Sequence, residues 1–197
     1  MSPLLPGQYY HIYNHANGDD NLFREEENYR FFLQQYHQHI DAIADTLAWC
    51  LMPNHFHLLV KIKNEEALLQ TFPKFETLEK LLSKKFSNFF SSYTQAFNKM
   101  YQRRGSLFIK NFKRKEITTA QYLQTIVVYI HCNPIKHHFA KEITAWPWSS
   151  YQHIHTHFEE LPFFREIFEN KNSFLKQHTL KHERFIKYNE LEESLTR

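Results

Sequence analysis

Two imidazoles two residues apart, His55 and His57, stand in the run Met52-Pro53-Asn54-His55-Phe56-His57-Leu58-Leu59-Val60. On a β-strand, residues i and i+2 share a face, so both rings could reach one metal ion. Spacing alone does not single them out: among 14 histidines, His37/His39, His153/His155 and His155/His157 repeat it. His37 and His39 fall inside a helical pattern, where i and i+2 diverge. A helix expected to begin near Trp148-Ser149-Ser150 leaves only His153 and His157 on a common face. The pair at 55 and 57 follows a Pro-Asn turn signal and continues in alternation, with Phe56, Leu58, Val60 and Ile62 to one side and His55, His57, Leu59 and Lys61 to the other. The first side reads as core. The second, partly polar and expected to be uncovered, can hold a site.

A second set of residues lies in Tyr129-Ile130-His131-Cys132-Asn133-Pro134. Tyr129 and Asn133 are four apart and project from one face of a helix, with Thr125 one turn earlier. The negative end of that helix favours a cation. Two imidazoles and a carboxamide oxygen, completed by water, suit Mg²⁺ or Mn²⁺ when the substrate is a phosphate. Tyr129 would then be the nucleophile. A free phenol has a pKa of about 10, so its phenolate needs stabilisation. A divalent ion held by His55 and His57 would polarise a non-bridging phosphate oxygen and offset charge in the transition state. Attack would expel a 3′-hydroxyl and leave a 5′-phosphotyrosine, which a second 3′-hydroxyl could reverse to join new ends. Taken singly, each residue has a plainer reading: hydrogen-bonded surface histidines, a core tyrosine, an asparagine capping its helix. Cys50 and Cys132 flank these motifs and raise a structural zinc site with His55 and His57 as a rival. Cys50, however, points away from the face such a site needs.

The elements that must position these groups follow from composition and periodicity. A chain of 197 residues is long enough for one domain with a real core, and 17% aromatic content argues against disorder. Three glycines exclude a glycine-rich phosphate loop, and two cysteines are too few for a disulfide framework. No leader or membrane span is apparent, so a cytoplasmic protein is expected. The net charge of +3 matters less than its distribution. Lys99, Arg103, Arg104, Lys110, Lys113, Arg114 and Lys115 form a stretch without acids, while Glu159, Glu160, Glu166, Glu169, Glu190, Glu192 and Glu193 make the end of the chain acidic. A negative partner would meet the middle of the chain, with Tyr101, Phe108 and Phe112 as stacking surfaces for unpaired bases.

Residues 8–14 read as a first strand and 25–45 as a helix with Tyr29, Phe32, Leu33, Tyr36, Ile40 and Ile43 at helical spacing. Strands are expected over 46–52 and 55–63, and a long helix over 78–102 with the stripe Leu78, Leu82, Phe86, Phe89, Tyr93, Phe97 and Met100. A strand over 106–117 and a helix beginning at the Thr118-Thr119-Ala120-Gln121 capping pattern follow. Pro134 is expected to stop that helix and to push Asn133 out of helical geometry. This order predicts an α+β fold, an antiparallel sheet with helices packed on one face, extended by helices at the C-terminal end.

Four motifs together resemble the HUH-type tyrosine transposases, and among them the REP-associated tyrosine transposases. They are Met-Pro-Asn-His-Phe-His-Leu-Leu-Val at 52–60, Gly-Ser-Leu-Phe with Phe-Lys between 105 and 113, Tyr-Ile-His-Cys-Asn-Pro at 129–134, and Trp-Pro-Trp-Ser-Ser-Tyr at 146–151. The likeness runs over about residues 8–155. It implies a ferredoxin-like HUH nuclease sandwich in residues 1–155, with 156–197 as a helical extension. It further implies a metal-dependent endonuclease and strand transferase that cleaves and rejoins single-stranded hairpin DNA in transposition. His55 and His57 would be the metal ligands, Tyr129 the catalytic tyrosine and Asn133 the third ligand, with Mg²⁺ or Mn²⁺ as cofactor and a monomer or homodimer as the acting form. The chain departs from the pattern at His15, where an arginine is common, and at Asn133, which stands in place of glutamine. The alternatives are a non-catalytic nucleic-acid-binding regulator on the same fold and a metal-dependent hydrolase acting on RNA.

Overall fold

The aromatic run Tyr-Tyr-His-Ile-Tyr-Asn-His forms β1 (Tyr9–His15), as such side chains suit a half-buried pleated surface. In the computed structural model, which describes residues 3–74 and 76–195, there follow α1 (Glu26–Ile40), β2 (Ala44–Met52), β3 (His55–Ile62), α2 (Glu65–Thr71), α3 (Leu78–Met100) and β4 (Lys113–Ile117). Then come α4 (Ala120–Lys136), α5 (Tyr151–His157), α6 (Pro162–Phe168) and α7 (Lys171–Leu195). The four strands lie in the order β2-β3-β1-β4, with β1 antiparallel to both neighbours. A β-α-β-β-α-β succession with this order is the ferredoxin-like arrangement, the α+β class expected from the sequence.

The chain divides into two compact units, residues 3–47 with 53–117 and residues 48–52 with 118–195. The division runs through β2, and residues 156–195 group with α4. Of the acidic tail, Glu190, Glu192 and Glu193 have side chains outside the described residues, as do Met1 and Ser2. Among the described residues, no helix is long and apolar enough to cross a membrane.

In the first unit, α1 and α3 cover one face of the sheet. Phe56, Leu58, Val60 and Ile62 of β3 are fully buried, and Phe56 meets Phe32 of α1 and Phe90 of α3 at ring separations of 5.3 and 5.8 Å. Helix α1 stops at Ile40 instead of continuing to 45, because Ile43 is drawn into the sheet, its carbonyl accepting from the Lys63 amide at 3.0 Å. Helix α3 begins where the Thr77 hydroxyl accepts the Lys80 amide. Its apolar stripe is buried from Leu82 to Phe97, whereas Leu78 is half-buried and Met100 is exposed. The strand expected over 106–117 is confined to Lys113–Ile117. Asn111, with φ at +65°, breaks the extended path, and the preceding loop is tied to β1 by the Ile109 amide donating to the His15 carbonyl at 3.0 Å. The short α2, capped by the Asn64 side chain on the Ala67 amide at 2.9 Å, has too few turns to show periodicity.

In the second unit, α4 does not stop at Pro134. The His137 amide reaches the Asn133 carbonyl at 3.0 Å, and the helix closes one turn later at His138, whose φ is +60°. Phe139 and His138 amides return to the Pro134 and Ile135 carbonyls at 2.8 and 3.1 Å, the paired closure of a Schellman motif. Proline sacrifices a single hydrogen bond in the last turn, so the helix survives it and Asn133 keeps helical geometry.

Beside Asn133, His131 is buried in a chain of hydrogen bonds. His178 Nδ1 donates to the Phe174 carbonyl at 2.8 Å, leaving its Nε2 to accept from His131 Nδ1 at 2.9 Å. His131 Nε2 then accepts from the Ser150 hydroxyl at 2.9 Å, and Ser150 Oγ in turn accepts the Trp49 amide at 2.9 Å. The Ser150 hydroxyl also lies 3.3 Å from the Trp49 carbonyl, and both rings are neutral. Burial holds His131 well below the usual imidazole range, with His178 adding to the effect. Burial likewise pushes His178 down to about 4 against its accepting carbonyl. The unfolded chain therefore binds more protons than the folded one below pH 6.5. Stability present above that pH is lost as pH falls toward 4, by about 3 kcal/mol for His178 alone. All three tryptophans, Trp49, Trp146 and Trp148, lie in this unit. Urea unfolding followed by tryptophan fluorescence is expected to shift to lower midpoints between pH 6.5 and 4, and a flat midpoint would contradict this assignment.

Candidate active site

Strand register sets the histidine face. In the β1/β3 pairing His15 stands opposite His55 and Tyr13 opposite His57. In the β1/β4 pairing His11 stands opposite Lys115 and Tyr13 opposite Lys113. With period 2, His11, Tyr13, His15, His55, His57, Lys113 and Lys115 share one face of the sheet, away from α1 and α3. The rings pack on one another: His15 stacks on His55 at 4.6 Å and His11 on His57 at 5.0 Å, while His55 and His57 meet edge to face at 5.3 Å. The face is not open, as the alternation led us to expect. His55, His57 and His11 are only 2%, 4% and 6% exposed, while His15 on the same face is exposed.

The Nδ1 atom of each of the two rings, His55 and His57, has a partner. His55 Nδ1 lies 2.7 Å from the Asn54 amide oxygen, which only accepts, so Nδ1 carries the proton and the Nε2 lone pair is the atom that could meet a metal. His57 Nδ1 lies 2.9 Å from His11 Nε2. Burial, with Lys115 nearby, pushes His11 down to about 4, so its ring is neutral and can accept. When His57 Nδ1 donates to His11, the His57 Nε2 lone pair could likewise meet a metal. His11 and Asn54 thus stand behind the imidazole pair as the partners that fix ligand tautomers at metal sites.

Tyr129 and Asn133 belong to the second unit, one helical turn apart on α4. Asn133 is fully buried; its Nδ2 donates to the Tyr129 carbonyl at 2.9 Å, which turns Oδ1 outward from the helix backbone. That oxygen has no hydrogen-bond partner among the described residues. Leaving such an atom unsatisfied costs about 1–3 kcal/mol, which a cation or donor would offset. The Lys136 ammonium sits 5.4 Å from the centre of the Tyr129 ring.

The basic stretch is not one surface. Lys113 and Lys115 flank the histidine face, whereas Arg114 points to the opposite side of β4, over the Phe112 ring at 5.4 Å. Lys99, Arg104 and Lys110 are exposed. Arg103 is held in the structure: it pairs with Asp20 and donates to Asn98 Oδ1 at 2.7 Å, fastening the turn after α3. The zinc alternative finds no support, as no group of three or more His, Cys, Asp or Glu among the described residues could hold a metal. Burial pushes the Cys132 thiol up to about 12 and raises Cys50 as well. The sequence reading missed His11 and Lys136. The signal for His11 was present, because His11, Tyr13 and His15 alternate on a strand just as His55 and His57 do.

No protein-family model matches the chain. It is 26% identical over 109 residues to a protein of Haemophilus influenzae provisionally named a REP-associated tyrosine transposase. The match takes in 54% of this chain and 58% of that relative, so the chain spans little more than half the length of the curated protein it matches. Its fold matches a solved REP-associated tyrosine transposase bound to a REP hairpin, with a TM-score of 0.61 and 18% identity over 83% of this chain and 87% of the other. Sequence and fold, compared independently, point to the same relatives for this chain, the REP-associated tyrosine transposases.

Proposed function

We propose that this chain binds hairpin-forming single-stranded DNA and cleaves and rejoins it through Tyr129, in the manner of a DNA transposase. The observation that carries the reading is the backing of the histidine face: the exposed Asn54 and the buried His11 lie within hydrogen-bond distance of the Nδ1 atoms of His55 and His57, an arrangement that would present the two Nε2 atoms to a metal. A surface histidine pair has no need of such backing. The fold match to a hairpin-bound transposase and the sequence likeness to a second one support the substrate class.

His55, His57 and Asn133 would hold Mg²⁺ or Mn²⁺, which when bound supplies Lewis-acid polarisation of a non-bridging phosphate oxygen. Tyr129 does the covalent chemistry. Its phenolic oxygen attacks the scissile phosphorus, the new O–P bond replaces the bond to the 3′-oxygen, and that oxygen leaves as a 3′-hydroxyl carrying a proton. The product is a 5′-phosphotyrosine. Attack by another 3′-hydroxyl reverses each bond change, restores the phenol and joins the new ends. Lys136 places a positive charge beside the ring as the phenol loses its proton. Lys113 and Lys115, next to the histidines on the same face, contact the phosphates that flank the cleaved one.

The test is incubation with labelled hairpin DNA and Mn²⁺ or Mg²⁺, followed by denaturing electrophoresis. A slower band that resists denaturant and disappears on protease treatment is expected. Its absence with every palindromic substrate tried would refute the strand-transfer reading. Affinity for the hairpin is expected to fall steeply with salt. Replacing Lys113 and Lys115 together by Ala should flatten the slope of log affinity against log salt by about 1.4–1.8 for two lost phosphate contacts. Affinity that barely changes from low to physiological salt would remove these residues from the DNA footprint.

A further inference from the structure

On the opposite side of the sheet from the histidines, the first unit holds a groove of about 590 Å³. One wall is α3, where Ser83, Ser87 and Ser91, four residues apart, line up their hydroxyls. The other wall is the loop before β4 with Lys110, Phe112 and Arg114. No carboxylate lines it. The loop is pinned: the Ile109 amide donates to the His15 carbonyl at 3.0 Å, and its carbonyl accepts from Asn14 Nδ2 at 3.0 Å. The groove is therefore preformed.

From this geometry we infer a second nucleic-acid track, a binding groove for a stretch of unpaired strand, separate from the histidine face. Two cations suit phosphates. The flat Arg114 guanidinium, lying over Phe112, offers a plane on which a base stacks. Hydroxyls that both donate and accept tolerate any base edge. A duplex hides its base faces, so the plane of Arg114 over Phe112 can stack only with unpaired bases. From Ser83 to Gln95 the wall rises about 18 Å at 1.5 Å per residue, the reach of several stacked nucleotides and more than one small ligand needs. The alternation of Lys113, Arg114 and Lys115 sends one basic side chain to this groove and two to the histidine face, so a single strand β4 serves both tracks.

This inference rests on the DNA-processing reading, but its test uses neither metal nor covalent chemistry. Fluorescence anisotropy with a labelled oligothymidylate of about eight nucleotides, which forms no hairpin, reads the groove directly. Ser91→Trp, which fills it from an exposed helical position, is expected to weaken binding about tenfold or more at an unchanged melting temperature. If that variant melts early, Ser87→Arg decides, since a gain of several-fold in affinity cannot come from misfolding. Oligothymidylate binding equal to wild type in Ser91→Trp at an unchanged melting temperature, no gain in Ser87→Arg where the first variant melts early, or no binding by the wild type would overturn the proposal. Covalent adducts without groove binding would overturn this inference alone, and groove binding without adducts would overturn only the strand-transfer reading.

Discussion

Replacing Tyr129 by Phe should abolish the covalent protein–DNA adduct, a loss of at least about 10³-fold, while hairpin affinity stays within about twofold. The substitution removes one oxygen and leaves the ring, which is half-buried on α4 with the Lys136 ammonium at its side. Helix packing and the ring's attraction for the cation are unaffected, so the fold and the DNA-binding surface persist. What disappears is the atom proposed to form the ester. A residual adduct at more than a small fraction of the wild-type level would mean that another hydroxyl or thiol is the nucleophile. Cys50 and Cys132 are poor candidates, because burial raises both thiols and keeps them protonated at neutral pH.

The second large effect concerns metal affinity. Replacing His57 by Ala is expected to remove Mn²⁺ binding measured by calorimetry without DNA, because one of the two proposed nitrogen ligands is lost. Replacing His11 by Ala should weaken it about 10- to 100-fold, although His11 donates nothing to the metal. The reason is the 2.9 Å contact between His11 Nε2 and His57 Nδ1. In the proposed tautomer His57 Nδ1 donates across that contact, and without an acceptor there the ring would lose the bond that keeps its proton on Nδ1 and its lone pair on Nε2. His11→Gln, whose side-chain carbonyl can accept the same bond, should recover part of the affinity, which a merely steric role for His11 would not produce. Equal Mn²⁺ affinity in wild type and His11→Ala would show that the imidazole pair does not depend on this backing.

The fold class was legible in the sequence because long amphipathic helices and alternating strands carry strong periodicity, as in α3 with its buried Leu82, Phe86, Phe89 and Tyr93 and in β3 with its buried Phe56, Leu58 and Val60. Element ends were less so. Pro134 reads as a stop in sequence, yet one missing amide in a last turn is tolerated when a Schellman closure follows at His138 and Phe139. The irregular loop before β4 reads as strand because it opens on the apolar run Leu107-Phe108-Ile109 and leads straight into the basic strand, and only the left-handed Asn111 shows why it is not. At the site, local spacing exposed His55 with His57 and Tyr129 with Asn133. His11 contributes through a strand pairing that joins residues 46 positions apart, and such pairings are set by the sheet, not by local sequence. The basic run was visible as charge but not as geometry: the strand period sends Arg114 to one side and Lys113 and Lys115 to the other.

The central claim is that the Tyr129 oxygen becomes bonded to a 5′-phosphate. Mass spectrometry of the protein after incubation with hairpin DNA and Mn²⁺, nuclease trimming and proteolysis reads this bond directly. The peptide that contains Tyr129 is expected to carry the mass of a 5′-linked nucleotide on the phenol. A nucleotide mapped to any other residue, or a substrate cut with water and no protein-bound product, would contradict it.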